Sequence, residues 1–157
     1  MGRYMSFTRV TQQELKRGDE DPQWLQSLID SRMESSEGTL DTVGLDKAWA
    51  GIQYLLDAAD VGIELQIDGS FLDAEGMNGW DPEEVKEAAD LLRKADFETL
   101  AVHYDPADMD AEDVYPGTWK PRGDTGLHYL REPYEALVRF FNATADRNEA
   151  AVMTFSF

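Results

Sequence analysis

A chain of 157 residues fits one domain with room for a sizeable core, and its 32 acidic against 14 basic residues give a net charge of −18. A surface this acidic repels nucleic acid and anionic membranes, and it favours basic partners, divalent cations or plain solubility. The absence of cysteine excludes a disulfide framework and every cysteine-based zinc site, and it suits a reducing cytosol.

The charge is uneven. Residues 1–47 hold nine acids and six bases, a net of −3, and residues 120–157 hold five of each. Residues 48–119 hold eighteen acids against only Lys86, Arg93 and Lys94, a net of −15. No apolar run approaches the ~18 residues of a membrane-spanning helix, and the start of the chain lacks a signal-peptide core. Met1-Gly2-Arg3-Tyr4-Met5-Ser6 fits the permissive myristoylation pattern but reads as the approach to a first strand. The sequon Asn142-Ala143-Thr144 falls in an expected helix with no secretion signal ahead of it.

Arg3 to Val10 is rich in Tyr, Phe, Thr and Val and predicts a strand. Thr11-Gln12-Gln13-Glu14 is a capping box that opens a short helix ending near Gly18. Asp21-Pro22 opens a second, with Leu25, Leu28, Ile29 and Met33 on one face, and Ser35 to Gly44 reads as a surface loop. Leu45, Ala48, Trp49, Ile52, Leu55 and Leu56 fall at helical spacing, which predicts a central helix over 45–56 with Trp49 buried in the core. Ile63, Leu65 and Ile67 alternate with polar residues as in a half-buried strand. Asp68-Gly69 then turns the chain toward a hairpin arm at Ser70 to Leu72, and Asp73 to Trp80 reads as a loop.

Asp81-Pro82-Glu83-Glu84 starts a helix whose buried face is Val85, Ala88, Ala89 and Leu92. Asp96 caps another, with the stripe Phe97, Leu100, Ala101 and Tyr104. Pro116-Gly117 and Pro121 to Gly126 are loop chemistry. The last stripe is Leu127, Leu130, Tyr134, Leu137, Val138 and Phe141, and Pro133 splits it into a turn and a helix that Asn148 stops. Ala151, Met153, Phe155 and Phe157 alternate with polar or smaller residues and predict a final strand.

The chemistry-bearing stretch is His103 to Trp119, HYDPADMDAEDVYPGTW. Its carboxylates stand close enough to raise one another's pKa and act as acid and base, or to cap helices: Asp105 precedes Pro106, and Asp110 precedes Ala111-Glu112-Asp113. Asp108, Asp110 and Glu112 begin like a calcium loop, but Asp113 stands where glycine is required and Trp119 where the bidentate Glu belongs. His103 and His128 are the only histidines, and no phosphate loop, dinucleotide fingerprint or nucleophile elbow is present, so no metal centre or cofactor is expected. The weak ligand-binding candidates are His103, Tyr104, Asp105, Asp108, Tyr115 and Trp119.

Four segments occur in order: Leu45-Asp46-Lys47-Ala48-Trp49, Asp81-Pro82-Glu83-Glu84-Val85, Tyr104-Asp105-Pro106-Ala107-Asp108-Met109 and Asp113-Val114-Tyr115-Pro116-Gly117-Thr118-Trp119. Together they resemble the YfbM-like bacterial proteins, a family of domains of unknown function, over most of the chain. The pattern differs at Glu75-Gly76-Met77-Asn78-Gly79-Trp80, where the family has a Gly-Tyr-Gly-Pro-like turn. The resemblance implies a compact α/β domain, bacterial and cytosolic, and supplies no catalytic residues.

The expectation is a single α/β domain over 1–157: a small mixed sheet that includes the first and last strands, covered by amphipathic helices. The favoured function is a non-enzymatic binding or interaction module with an acidic face, for a basic protein partner, with no nucleic acid or membrane involved. The alternative is a small hydrolase or transferase using the His103–Trp119 segment with a divalent metal. A pocket gathering Tyr104, Asp105 and Trp119 favours the enzyme; the same residues as struts and caps favour the module.

Overall fold

The computed structural model describes residues 2–35, 40–72 and 76–156; residues 36–39 and 73–75 of the expected loops, and Phe157 of the expected last strand, lie outside the described residues. Among the described residues, five strands form one sheet: β1 (Tyr4–Val10), β2 (Thr42–Asp46), β3 (Ser70–Phe71), β4 (Met77–Trp80) and β5 (Ala150–Ser156). Their order is β2-β1-β5-β4-β3, and every neighbouring pair is antiparallel. The first strand and the last therefore lie side by side at the centre, in register from Tyr4 opposite Ser156 to Val10 opposite Ala150.

Period-2 alternation gives the sheet two apolar faces. Met5, Phe7, Trp80, Ala151, Met153 and Phe155 enter the main core. That core is closed by α3 (Trp49–Ala58), α4 (Pro82–Arg93), α5 (Phe97–Ala101) and the 23-residue α8 (Asp124–Asp146). Val10, Met77, Ala150 and Val152 face the other way, against Leu25 and Ile29 of α2 (Pro22–Ser35), with α1 (Gln12–Glu20) beside it. Strand β5 is thus buried on both faces rather than one.

Several of the cap signals are met as read. Thr11 and Glu14 form a capping box on α1, and Asp81 and Glu84 form a second on α4. Asp96 caps α5, and Asn148 ends α8 in a left-handed conformation. There its N–H bonds Ala145 O and the Glu149 N–H bonds Thr144 O, the paired closure of a Schellman motif.

Other expectations are corrected. The stripe over 45–56 joins two elements: Val43 and Leu45 point inward from β2, Asp46 at φ 47° turns the chain, and α3 begins at Trp49. Both elements aim at one core, so their apolar residues imitate a single helix. Thr42 to Gly44, expected in a loop, belongs to β2. Trp49, at the first turn of α3, is only half-buried; it stacks on Tyr115 with centroids 5.9 Å apart and donates from Nε1 to Arg3 O at 3.2 Å.

Residues 63–67 form no strand. The Gln53 side chain takes the place of a partner strand, donating to Ile63 O (2.7 Å) and accepting from the Leu65 N–H (2.8 Å). Ile63 and Leu65 are buried, while Ile67 is 72% exposed. Met77 to Trp80, expected as loop, is β4, with Trp80 only 2% exposed. Pro121 to Gly126, expected as a loop, holds the end of a short helix, α7 (Trp119–Arg122), and the start of α8. Pro133 does not split α8. Its missing N–H faces the carbonyl of the exposed Tyr129, which water can satisfy, while buried Leu130, Tyr134 and Leu137 on either side hold the helix to the core.

Candidate functional site

The 103–119 segment folds as a short helix, α6 (Pro106–Ala111), followed by an irregular return to α7. Asp105 Oδ1 accepts from the Asp108 N–H at 3.0 Å, an N-cap with Pro106 at the first helical position. Asp110 does not cap a helix starting at Ala111. It lies near the end of α6 and accepts from the backbone N–H groups of Trp119 (2.8 Å) and Lys120 (2.9 Å), so it caps α7 across the intervening loop. Those two bonds, that from Lys120 first, hold its carboxyl below the usual carboxylate range.

Trp119 is fully buried and donates from Nε1 to Val114 O at 2.8 Å. It fits because α8 offers no side chain at Gly126: a Cβ there would stand 3.2 Å from Trp119 Cε3 and 2.4 Å from Tyr104 Oη. The Tyr104 hydroxyl in turn donates to Gly123 O at 2.7 Å. His103 is exposed. Tyr115 lies along a shallow groove of about 420 Å³ with Arg3, Asp110 and Asp113, and its hydroxyl accepts from the Arg3 N–H at 3.0 Å. Tyr104, Asp105 and Trp119 are therefore held as struts and a cap. Among the described residues no group of three His, Asp or Glu side chains is placed to hold a metal ion.

One test follows from the cap. Asp105→Asn is expected to keep nearly all stability, since Asn caps as well as Asp, whereas Asp105→Ala should cost ~1 kcal/mol in denaturant unfolding. Large and equal losses from both changes would indicate that the charge itself matters.

The acids gather elsewhere. Tyr54 on α3 donates to Asp108 Oδ2 at 2.7 Å; burial first, then this bond and the charges of Asp108, Asp105 and Glu112, push its phenol up to about 12. One turn on, Asp57 accepts from Gln53. Burial raises the pKa of the Glu64 carboxyl, and Asp57 and Asp68 raise it further. Burial also raises that of Glu84, aided by the charges of Asp81 and Asp68 and opposed by the Asp81 N–H. This series of carboxylates belongs to α6, α3, the 61–69 loop and the start of α4. The ion pairs of the described residues use Arg9, Arg32, Arg93, Arg131 and Arg139 with acids outside this series. Among the described residues, none of Asp57, Glu64, Asp68, Glu84 and Glu87 has a basic side chain at ion-pair distance.

Asp68, Glu84 and Glu87 line a cavity of about 210 Å³, with Ile63, Leu91 and Trp80 among its apolar walls. Its loop wall is fixed from two sides. Gln53 holds Ile63 and Leu65, and Asn78 Nδ2 donates to Gln66 O (3.0 Å) and Asp68 O (3.3 Å). Trp80 Nε1 is buried without a hydrogen-bond partner, which costs ~1–3 kcal/mol for a donor. Sequence reading missed Gln53, Asn78 and Trp80; the only local signal was an Asn-Gly-Trp next to a capping box.

The model of the family described as a domain of unknown function, DUF1877, matches residues 1–154. Among solved structures, the chain is similar to the crystal structure of YfbM from Escherichia coli, a protein of unknown function. The TM-score is 0.67 at 14% identity, covering 98% of this chain and 99% of that one, a likeness of fold alone. No curated protein matches the sequence.

Proposed function

The chain belongs to the DUF1877 family of domains of unknown function, and from its own surface we propose that it is a non-enzymatic binding module whose acidic face receives a basic protein partner. The observation that carries this reading is the series of carboxylates on α6, α3, the 61–69 loop and α4 without basic partners, where burial first and neighbouring charges second raise the pKa values of Glu64 and Glu84. Self-repulsion of this kind opposes folding, and an incoming cation relieves it. Beside the acids stand Ile67, 72% exposed, and Phe71, 70% exposed on the edge strand β3. Apolar groups of this kind form the centre of an interface whose rim is charged. Complementary charge of this extent acts mainly on encounter rate and choice of partner.

The binding experiment uses the immobilised domain to recover basic proteins, with Asp57→Lys/Glu64→Lys as the control. Recovery that falls with added salt and is lost in the charge-reversed variant supports the reading. Equal recovery by parent and variant overturns it.

A stability measurement tests the repulsion separately. Glu64→Gln is expected to melt above the parent at pH 7. A raised folded pKa destabilises the fold once the group ionises, so the penalty grows as pH rises from the ordinary glutamate value of 4.5 through the folded value. The variant's advantage should therefore shrink as pH falls toward 4.5, and at pH 7 it should also shrink as salt shortens the Debye length to about 10 Å at 0.1 M. An unchanged melting temperature at pH 7 and low salt would remove the repulsion argument.

A further inference from the structure

The groove between Arg3 and the 110–118 segment carries charge of both signs that the fold leaves unpaired. Its volume of about 420 Å³ falls within the ~300–1,000 Å³ of small-molecule sites. Arg3, Asp110 and Asp113 are its charged residues. Asp110 is committed, since Oδ1 accepts from the Trp119 N–H and Oδ2 from the Lys120 N–H. Arg3 and Asp113 are both exposed. Among the described residues, neither lies at ion-pair distance from an opposite charge, the other included. A cation and an anion, each open to solvent, thus border one groove without neutralising each other.

The backbone of both walls is held in advance. Arg3 precedes β1, yet its N–H donates to Tyr115 Oη at 3.0 Å and its carbonyl accepts from Trp49 Nε1 at 3.2 Å. Tyr115 is stacked on Trp49 with ring planes 21° apart, and the Arg3 guanidinium stands 5.7 Å from its ring centroid. In the facing loop the Asp113 N–H bonds Asp110 O, the Val114 N–H bonds Met109 O and the Gly117 N–H bonds Val114 O. A ligand therefore orders little main chain on entry, and less of its contact energy is lost. The charges narrow the occupant. A plain anion would meet Arg3 but stand beside Asp110 and Asp113, and a plain cation would meet Asp113 but stand beside Arg3. A molecule with one charge of each sign meets both. Its zero net charge also spares it the repulsion of a chain at −18. Val114, Tyr115 and Pro116, all half-buried, line the same groove and offer apolar surface.

We propose that this groove is a binding site for a free amino acid with an apolar side chain. Its carboxylate lies on the Arg3 guanidinium, a pairing of charge and fork geometry, and its ammonium group donates to Asp113. Its side chain lies along Val114, Tyr115 and Pro116. The site is independent of a basic protein partner, because none of Asp57, Glu64, Asp68 and Glu84 lines the groove.

The test is a titration of the full-length, ¹⁵N-labelled protein with L-phenylalanine, followed at the backbone N–H signals of Val114, Tyr115, Gly117 and Thr118. These should shift saturably, together with the Arg3 side-chain N–H signal, while those of α4 stay in place. Phenethylamine, which lacks the carboxylate, and 3-phenylpropionate, which lacks the ammonium group, should each bind about tenfold more weakly or worse. Arg3→Gln should weaken phenylalanine about tenfold and leave phenethylamine unchanged. Asp113→Asn should weaken phenylalanine about tenfold and leave 3-phenylpropionate unchanged. Both variants keep the groove: the bonds that fix Arg3 run through its main chain, and Asn adopts the φ of 55° found at Asp113. Signals that do not saturate overturn the proposal. So does equal binding of phenylalanine and either single-charge analogue, or an affinity for phenylalanine unchanged by either substitution. Recovery of a basic protein in the earlier experiment bears on none of these outcomes.

Discussion

Deleting residues 150–157 is expected to leave a chain with no cooperative native state. Among the described residues, strand β5 alone joins the β2-β1 pair to the β4-β3 pair within the sheet, so its loss divides the sheet in two. It also withdraws apolar side chains from both cores, Met153 and Phe155 from one and Ala150 and Val152 from the other. Each neighbouring strand is left with an unpaired edge where it had been buried, and buried backbone groups without partners are strongly unfavourable. Loss of near-ultraviolet dichroism and of a sigmoidal thermal transition would be the expected record. A truncated protein that melts cooperatively near the full-length temperature would show that the sheet does not depend on this strand.

Trp119→Ala is expected to cost ~3–5 kcal/mol, a large part of the stability of an ordinary domain, while Trp49→Ala should stay within ~0.5–3 kcal/mol. Both residues are tryptophans in the resemblance segments, and their environments decide the difference. Trp119 is fully enclosed, wedged between Gly51 of α3 and Gly126 of α8, with its N–H satisfied by Val114. Removing it leaves a cavity between two helices and an orphaned carbonyl. Trp49 sits at the core's edge, where one ring face meets Tyr115 and water can enter once the ring is gone. Denaturant unfolding of the two variants should separate them clearly. Equal losses would mean that the edge stack of Trp49 and Tyr115 holds the fold as firmly as the buried indole.

The features legible in the sequence are those decided within a few residues. Thr11–Glu14, Asp81–Glu84, Asp96 and Asp105 all cap as read, because a capping bond closes within one turn and depends on little else. The final strand was legible for a related reason, its alternation being long enough to leave no other period. What failed depended on distant partners. Ile63, Leu65 and Ile67 alternate like a strand, yet the bonds a strand would need are supplied by the Gln53 side chain on α3. Asp110 stood before a plausible helix start, but its carboxylate reaches residues nine and ten positions further on.

The candidate site divides along the same line. The acids of 103–119 stood out because they are close in sequence, and the fold spends Asp105 and Asp110 on caps. The cavity at Trp80 assembles a turn, a strand end and a helix face from separate parts of the chain. Asn78 and Trp80 lay in a stretch whose glycines suggested a loop. Nothing local announces an indole N–H left without a partner, since that depends on which side chain is missing from the turn above it.

The pairing of β1 with β5 also sets an order in time. During synthesis β1 emerges early, but its central partner begins about 140 residues later, at Ala150. At ~5–20 residues per second the ribosome leaves β1 waiting for about 7–30 s. In that interval β2 can cover one edge, while the other edge, with Met5 and Phe7 beside it, stays open to any passing strand. The same high sequence separation makes the closing step slow for the released chain, because most of the loop-closure entropy is lost before the last contacts form. Until Ala150 to Ser156 arrives, the nascent chain has helices but no centre, and the abundant negative charge between residues 48 and 119 is well suited to keep such chains apart.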